Sequence, residues 1–164
     1  MVRHRPDRVS VAGVALLVVA AALGGGWLLI GKPAGSFVAV KDTATQNAMQ
    51  VAVDVNAYDY RSLNQHFTTV AGELTGSILA DFNKEKVSIA ASFTQAKATS
   101  QAKVLDAATV PPAAHAGDEA SVLVAVQVVY TPAGGVAVPQ TELLKMHLVH
   151  TGGRWLVDGI VQEI

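Results

Sequence analysis

The stretch VAVDVNAYDY (Val51–Tyr60) brings Asp54, Tyr58, Asp59 and Tyr60 close together. A tyrosine hydroxyl beside a carboxyl group can stabilise an enolate in an isomerase pocket. On a helix, Asp54 and Tyr58 would share a face. The same spacing describes a helix end with its tyrosine tucked inward, and this is the reading adopted. His147 and His150 are the close histidine pair of the C-terminal half. Residues three apart in a strand point to opposite faces, so these two do not chelate one ion, and a metal site needs three or four convergent ligands. His66 and His115 stand alone in polar surroundings. There is no glycine-rich phosphate loop, no nucleophile elbow and no carboxylate pair with an evident partner. The sequence therefore yields no catalytic, cofactor-binding or metal-ligating residue. The expectation is a protein that is not an enzyme and takes no cofactor.

Composition narrows the classes further. The chain has no cysteine, which removes disulfides, thiolate zinc sites, cysteine nucleophiles and lipoprotein anchoring. Hydrophobic residues make up 51% and aromatics only 5%, so Ala and Val must build most of the core. The formal net charge is −1, and Lys and Arg do not cluster beyond the N-terminus, so no nucleic-acid partner is expected.

The elements that position the rest begin with VSVAGVALLVVAAALGGGWLLI (Val9–Ile30), a run without a charge. About 20 apolar residues cross the hydrocarbon core of a bilayer as a helix. Arg3, Arg5 and Arg8 precede the run and Lys32 follows it. The positive-inside rule then leaves residues 1–8 in the cytoplasm and carries the chain after Lys32 outside, with Trp27 near the outer interface. The apolar region of a signal peptide spans only ~7–15 residues, so a retained anchor is expected over cleavage near Ala34-Gly35-Ser36. The expected plan is a single-pass plasma-membrane protein with a short cytoplasmic N-terminus (1–8), a transmembrane helix (9–30), a linker (31–36) and one extracytoplasmic domain (37–164).

Within that domain the first half reads as helix, over residues 37–93. Phe37, Val40, Ala44, Ala48, Val51 or Ala52, Val55 and Tyr58 recur at steps of three and four. Ser62 is placed to cap a second helix through Val70, and Leu74, Ile78, Phe82 and Val87 continue the pattern in a third. From residue 96 the period changes to two. Ala98, Ser100, Ala102, Val104, Asp106, Ala108 and Val110 alternate with polar residues, Ala120–Tyr130 is rich in β-branched side chains, and Glu142–His150 and Arg154–Ile160 flank Thr151-Gly152-Gly153 as a hairpin. Helices followed by a four-stranded antiparallel meander define an α+β domain. A curved sheet wrapped around about three helices, the cone of nuclear transport factor 2-like domains, fits this order.

Three stretches carry a further resemblance: YDYRSL (Tyr58–Leu63), ELTGSILADFNKEK (Glu73–Lys86) and GGRWLVDGI (Gly152–Ile160). With the anchor ahead of them they resemble, in order and spacing, the Mce-associated membrane proteins of mycobacteria and related actinobacteria. The resemblance covers nearly the whole chain from Val9. It implies an accessory subunit of Mce complexes, which import lipids through the mycobacterial envelope, acting in assembly or stability. The implied partners are Mce subunits, their permease and the bilayer. Many relatives carry a long charged cytoplasmic tail where eight residues precede Val9 here, so the contacts are expected in the membrane or outside it. The alternative is a carrier holding a lipid or other apolar ligand in the cone; an isomerase-like enzyme ranks behind both.

The last strand is where these readings meet. Trp155, Val157 and Val161 are expected to share its core face, with the strand as an edge open to strand addition or capped in the ordinary way. As a fully buried core residue, Trp155 replaced by Ala would cost ~3–5 kcal/mol of stability, measurable by denaturant unfolding.

Overall fold

Each strand of the C-terminal half has one apolar face, and that face decides the architecture. The computed structural model describes residues 43–110 and 118–163. The predicted anchor, Phe37, Val40, His115 and the 1–8, 9–30 and 31–36 boundaries lie outside these residues. Among the described residues no helix is long and apolar enough to cross a membrane.

Among the described residues three helices precede four strands: α1 (Thr43–Asp54), α2 (Leu63–Ala71), α3 (Gly76–Ala96), β1 (Thr99–Thr109), β2 (Glu119–Thr131), β3 (Val138–Thr151) and β4 (Arg154–Glu163). The strands form one antiparallel sheet in the order β1-β2-β3-β4. On its inner face β2 buries Ala120, Val122, Val124, Val126, Val128 and Tyr130, every second residue. The helices cover that face, α1 chiefly over β1 and β2 and α3 over β4. The α1 surface is built from small residues, Ala44, Ala48, Val51 and Ala52, which lets the helix settle close to the sheet. The aromatic rings fill the wider space at the other end. Tyr58 packs on Phe67 and Phe93, Phe67 on Phe82, and Phe93 on Tyr130, with centroids 5.2 to 6.0 Å apart. Burying each such ring is worth roughly 1.5–3 kcal/mol.

Two bulges break the regular alternation expected for the strands. In β1, Val104 pairs with Val126 and Asp106 with Ala125, which leaves Leu105 as the extra residue, 51% exposed. Beyond it the faces exchange, so Ala107, not Asp106 or Ala108, packs against the core. In β4, Val157 pairs with Leu148 and Gly159 with His147, leaving Asp158 extra. Ile160 therefore enters the core in place of Val161. The expected Trp155–Val157–Val161 face holds only for its first two members. The α3 stripe is likewise corrected at Val87, which is 70% exposed; Ile89 and Phe93 continue from Phe82 at steps of seven and four.

Neither edge of the sheet is bare along its length. The α1–α2 connection lays Asp59 against Thr99, with Ser100 N donating to Tyr58 O (2.7 Å) and Tyr60 N to Ala98 O (3.2 Å). On the opposite edge the α2–α3 connection places Leu74 parallel to Val157, with Thr75 N donating to Val157 O (2.8 Å) and Val157 N to Glu73 O (3.0 Å). Helix α2 and its two connections thus span the open end of the cone and clip onto both edges. The β3–β4 hairpin turns on Gly152 and Gly153, both at positive φ (59° and 79°), the conformation a two-residue turn of this hand requires.

Trp155 is half-buried, stacked on His150 (centroids 5.1 Å), and its Nε1 donates to Thr43 Oγ1 at 3.2 Å. Trp155→Ala is accordingly expected to cost about 2 kcal/mol, less than a fully buried site. Lys97 closes α3 in the left-handed region at φ 45°. Lys97→Gly should relieve that strain and stabilise the domain by about 0.5–1 kcal/mol, read as a rise in the urea midpoint.

Candidate functional site

The chain between α1 and α2 is held down by a serine. Ser100 Oγ, buried under the connection, donates to Asn56 O (2.7 Å) and accepts from Tyr58 N (2.9 Å). Beside it opens a cleft of about 390 Å³, lined by Tyr58, Asp59, Arg61, Ser62, His66 and Ser100 among others. Its charged groups are spent on each other. Arg61 donates to both oxygens of Asp59, Nε to Oδ1 at 2.9 Å and Nη2 to Oδ2 at 2.6 Å. Those hydrogen bonds hold the Asp59 carboxyl down at about 2. Tyr60 lies under the same guanidinium, 5.7 Å from its carbon.

The candidate Tyr–Asp pair does not form on one helix face. Helix α1 stops at Asp54, and Tyr58 lies in the extended connection with its ring buried among Phe67, Phe93 and His66. The Tyr58 hydroxyl has no hydrogen-bond partner, and burial pushes its pKa well above the usual phenol value. His66 connects the two residues, edge-on to the Tyr58 ring at 5.2 Å and with Nε2 donating to Asp54 O at 2.6 Å. That is a structural link between α1, α2 and the connection, not an acid–base pair.

Two acids carry more than sequence reasoning assigned to them. Glu73, in the α2–α3 connection, is raised to about 7 by burial, then by the charge of Asp54 and a hydrogen bond to that carboxyl. Asp54 Oδ2 accepts from Gln50 Nε2 at 2.7 Å, and Glu73 Oε2 is buried without a partner. Glu142 lies on the inner face of β3 in line with Leu144, Met146 and Leu148, 3% exposed, and neither carboxyl oxygen has a hydrogen-bond partner. Burial raises it to about 7. Its inward orientation was readable from the period of two that ends on those apolar residues; Glu73 gives no sequence signal, because its neighbour Asp54 is remote in the chain.

His147 and His150 do not converge. His147 Nδ1 meets Asp158 Oδ1 at 2.5 Å, and the β4 bulge is what brings that carboxylate across. His150 packs on Trp155 and its Nδ1 lies 3.6 Å from Asp118. Among the described residues no group of three or more His, Asp or Glu is placed to hold a metal ion.

No protein-family model matches the chain, and no curated protein matches it in sequence. Solved structures match it in fold. The periplasmic domain of DotI superposes with a TM-score of 0.63 at 15% identity, over 79% of this chain and 99% of that one. An IcmL-like type IV secretion system protein from Legionella pneumophila gives 0.60 at 11% identity, over 73% and 88%. The Agrobacterium tumefaciens VirB8 protein gives 0.60 at 7% identity, over 73% and 90%. At these identities the likeness is one of fold: an α+β cone with three helices on a curved four-stranded antiparallel sheet.

Glu142 has a thermodynamic consequence. Its folded value of about 7 lies above the ordinary 4.5, so the folded state keeps a proton that the unfolded chain releases. The stabilisation is complete below about 4.5 and disappears as pH rises through about 7. Glu142→Gln should therefore be more stable than the parent at pH 8.5, by on the order of 2 kcal/mol, and should flatten the loss between pH 5 and 8 in urea titrations.

Proposed function

We propose that this chain is a membrane-anchored, non-enzymatic accessory subunit of a multi-protein envelope complex, and that the complex is an Mce-type lipid importer. The observation that carries the reading is the filled interior. Phe82, Phe93, Leu144, Met146, Leu148 and Ile160 occupy the cone as fully buried side chains. A carrier of an apolar ligand needs a preformed apolar cavity, ordinarily ~300–1,000 Å³. The cleft described here is instead open and edged by Arg61, Asp59 and Ser62. What the domain has to offer is surface.

The three stretches that resemble Mce-associated proteins support the finer part of the proposal because they fall into one structural unit. YDYRSL (Tyr58–Leu63) clips onto β1 and leads into α2, ELTGSILADFNKEK (Glu73–Lys86) starts with the residues paired to β4 and runs into α3, and GGRWLVDGI (Gly152–Ile160) is the hairpin and strand with which this second stretch pairs. Tethered to a bilayer by residues 9–30, such a domain meets any complex in the same membrane at high effective concentration, so weak contacts suffice. The fold shared with the IcmL-like type IV secretion system protein favours a second reading, a subunit of a secretion apparatus.

Affinity purification of the full-length protein from its native membrane in mild detergent, followed by mass spectrometry, separates these readings. Mce subunits and their permease are the expected co-purifying proteins. Components of a secretion machine would favour the second reading. A stoichiometric lipid without a protein partner would replace both with the carrier.

A further inference from the structure

The free side of β1 is closed at both ends and open in the middle. At its start Ser100 N donates outward to Tyr58 O of the 58–60 connection (2.7 Å). Backbone groups of a strand alternate in direction with a period of two, and β1 pairs with β2 without a shift from Thr99 to Val104. Ala102 and Val104 therefore also turn their N–H and C=O away from β2. Past the Leu105 bulge, Val110 N donates to Ser121 O of β2 (2.8 Å), so by the same period Ala107 faces outward. Its N–H is taken by Asp106 Oδ1 at 2.8 Å. Between clip and cap, the outward groups of Ala102 and Val104 meet no hydrogen-bond partner among the described residues.

The side chains along this gap describe what fits it. Ala102 and Val104 are half-buried and pack against the margin of the core. Lys103 between them is exposed on the outer face, and among the described residues no acid pairs with it. A residue added directly opposite Lys103 would lie on the same face, with its Cβ ~4.5–5.5 Å away. A second copy of the chain is a poor occupant. Pairing Ala102 with Val104 of the copy about a two-fold axis sets Lys103 against Lys103 of the copy, and like charges directly opposite are destabilising. The other two-fold registers bring in Ser100, whose outward N–H is already taken, or the Leu105 bulge. The cleft beside the clip reaches Gln101 and leaves room there for the end of a bound segment.

We propose that residues 101–104 of β1 are a docking edge for an extended segment of a partner protein, which adds as a further strand with apolar side chains on its inner face and an acidic residue opposite Lys103. The main-chain groups of Ala102 and Val104 supply the attachment, and the lysine selects the sequence and register of the segment. The clip at Ser100 and the bulge and Asp106 cap beyond Val104 limit the length of the site. They also keep the rest of the edge from acting as a general template for strand pairing. The site rests on the edge geometry and is independent of which complex the protein serves.

Peptide titration followed by amide hydrogen exchange on the full-length chain in detergent tests this. The probe is an acetylated and amidated heptapeptide of alternating valine and threonine, with glutamate in place of the central threonine. At about 1 mM peptide, a weak-binding limit, protection at Ala102 and Val104 should rise about fivefold or more while amides of the β2–β3 ladder keep theirs. The same peptide with lysine at its centre should bind about two- to fivefold more weakly, and Lys103→Glu should reverse that preference. Val104→Pro removes one outward N–H where an edge strand tolerates proline, and should abolish the added protection at Ala102. Lys103→Glu, at an exposed position, keeps the test decisive if the proline weakens the fold. No protection gained at Ala102 and Val104, equal affinity for both peptides in parent and Lys103→Glu alike, or added protection centred on the β4 edge would overturn the site. So would protection at Ala102 and Val104 that grows with protein concentration alone, which would make the occupant a second copy.

Discussion

The inner face of the sheet, an uninterrupted apolar row along β2 from Ala120 to Tyr130, is the constraint on which the rest depends. An antiparallel sheet with such a face must cover it, and here the cover is three helices threaded through two short connections. Small residues on α1 bring that helix close over β1 and β2. The rings of α2, α3 and the Tyr58 connection fill the wider space near the end of β2. The connections cannot hang free, because their backbone groups must be satisfied, and the sheet edges offer the nearest partners. This is why both edges are clipped at the level of α2: the 58–60 segment on β1 and the 73–75 segment on β4.

The bulges at Leu105 and Asp158 follow from the same geometry. Each inserts one residue, bends its strand and exchanges the faces beyond it. At Asp158 the displaced side chain reaches His147 across the ladder and lies alongside Gly76, where α3 begins. A polar contact on the outer face and the entry of a helix on the inner one are thus set by one extra residue.

Against this apolar interior the acids are the places where local preference and global fold disagree. Glu142 occupies a position that packing would give to Leu or Val, and Glu73 faces another acid where a cation would serve stability better. Such conflicts lower stability at neutral pH, and they collect at positions that do something other than hold the fold together.

The amino-acid sequence by itself determined the order of elements, the α+β class, the four-stranded meander and most of the core, because those depend on periods of 3.6 and 2 that are local. Phe67, Phe82, Val122–Val128 and the Gly152-Gly153 turn were all legible in this way. The period of two also put His147 and His150 on opposite faces of β3, where the first meets Asp158 and the second packs on Trp155. Only the tertiary structure decided that Ile160 replaces Val161 in the core, that Val87 faces solvent, and that Trp155 is half-buried at the foot of α1. It alone brought Glu73 to Asp54 and Asp158 to His147. The reason is physical: a bulge shifts register by one residue without altering composition, and a contact between residues distant in the chain leaves no trace in the spacing of either.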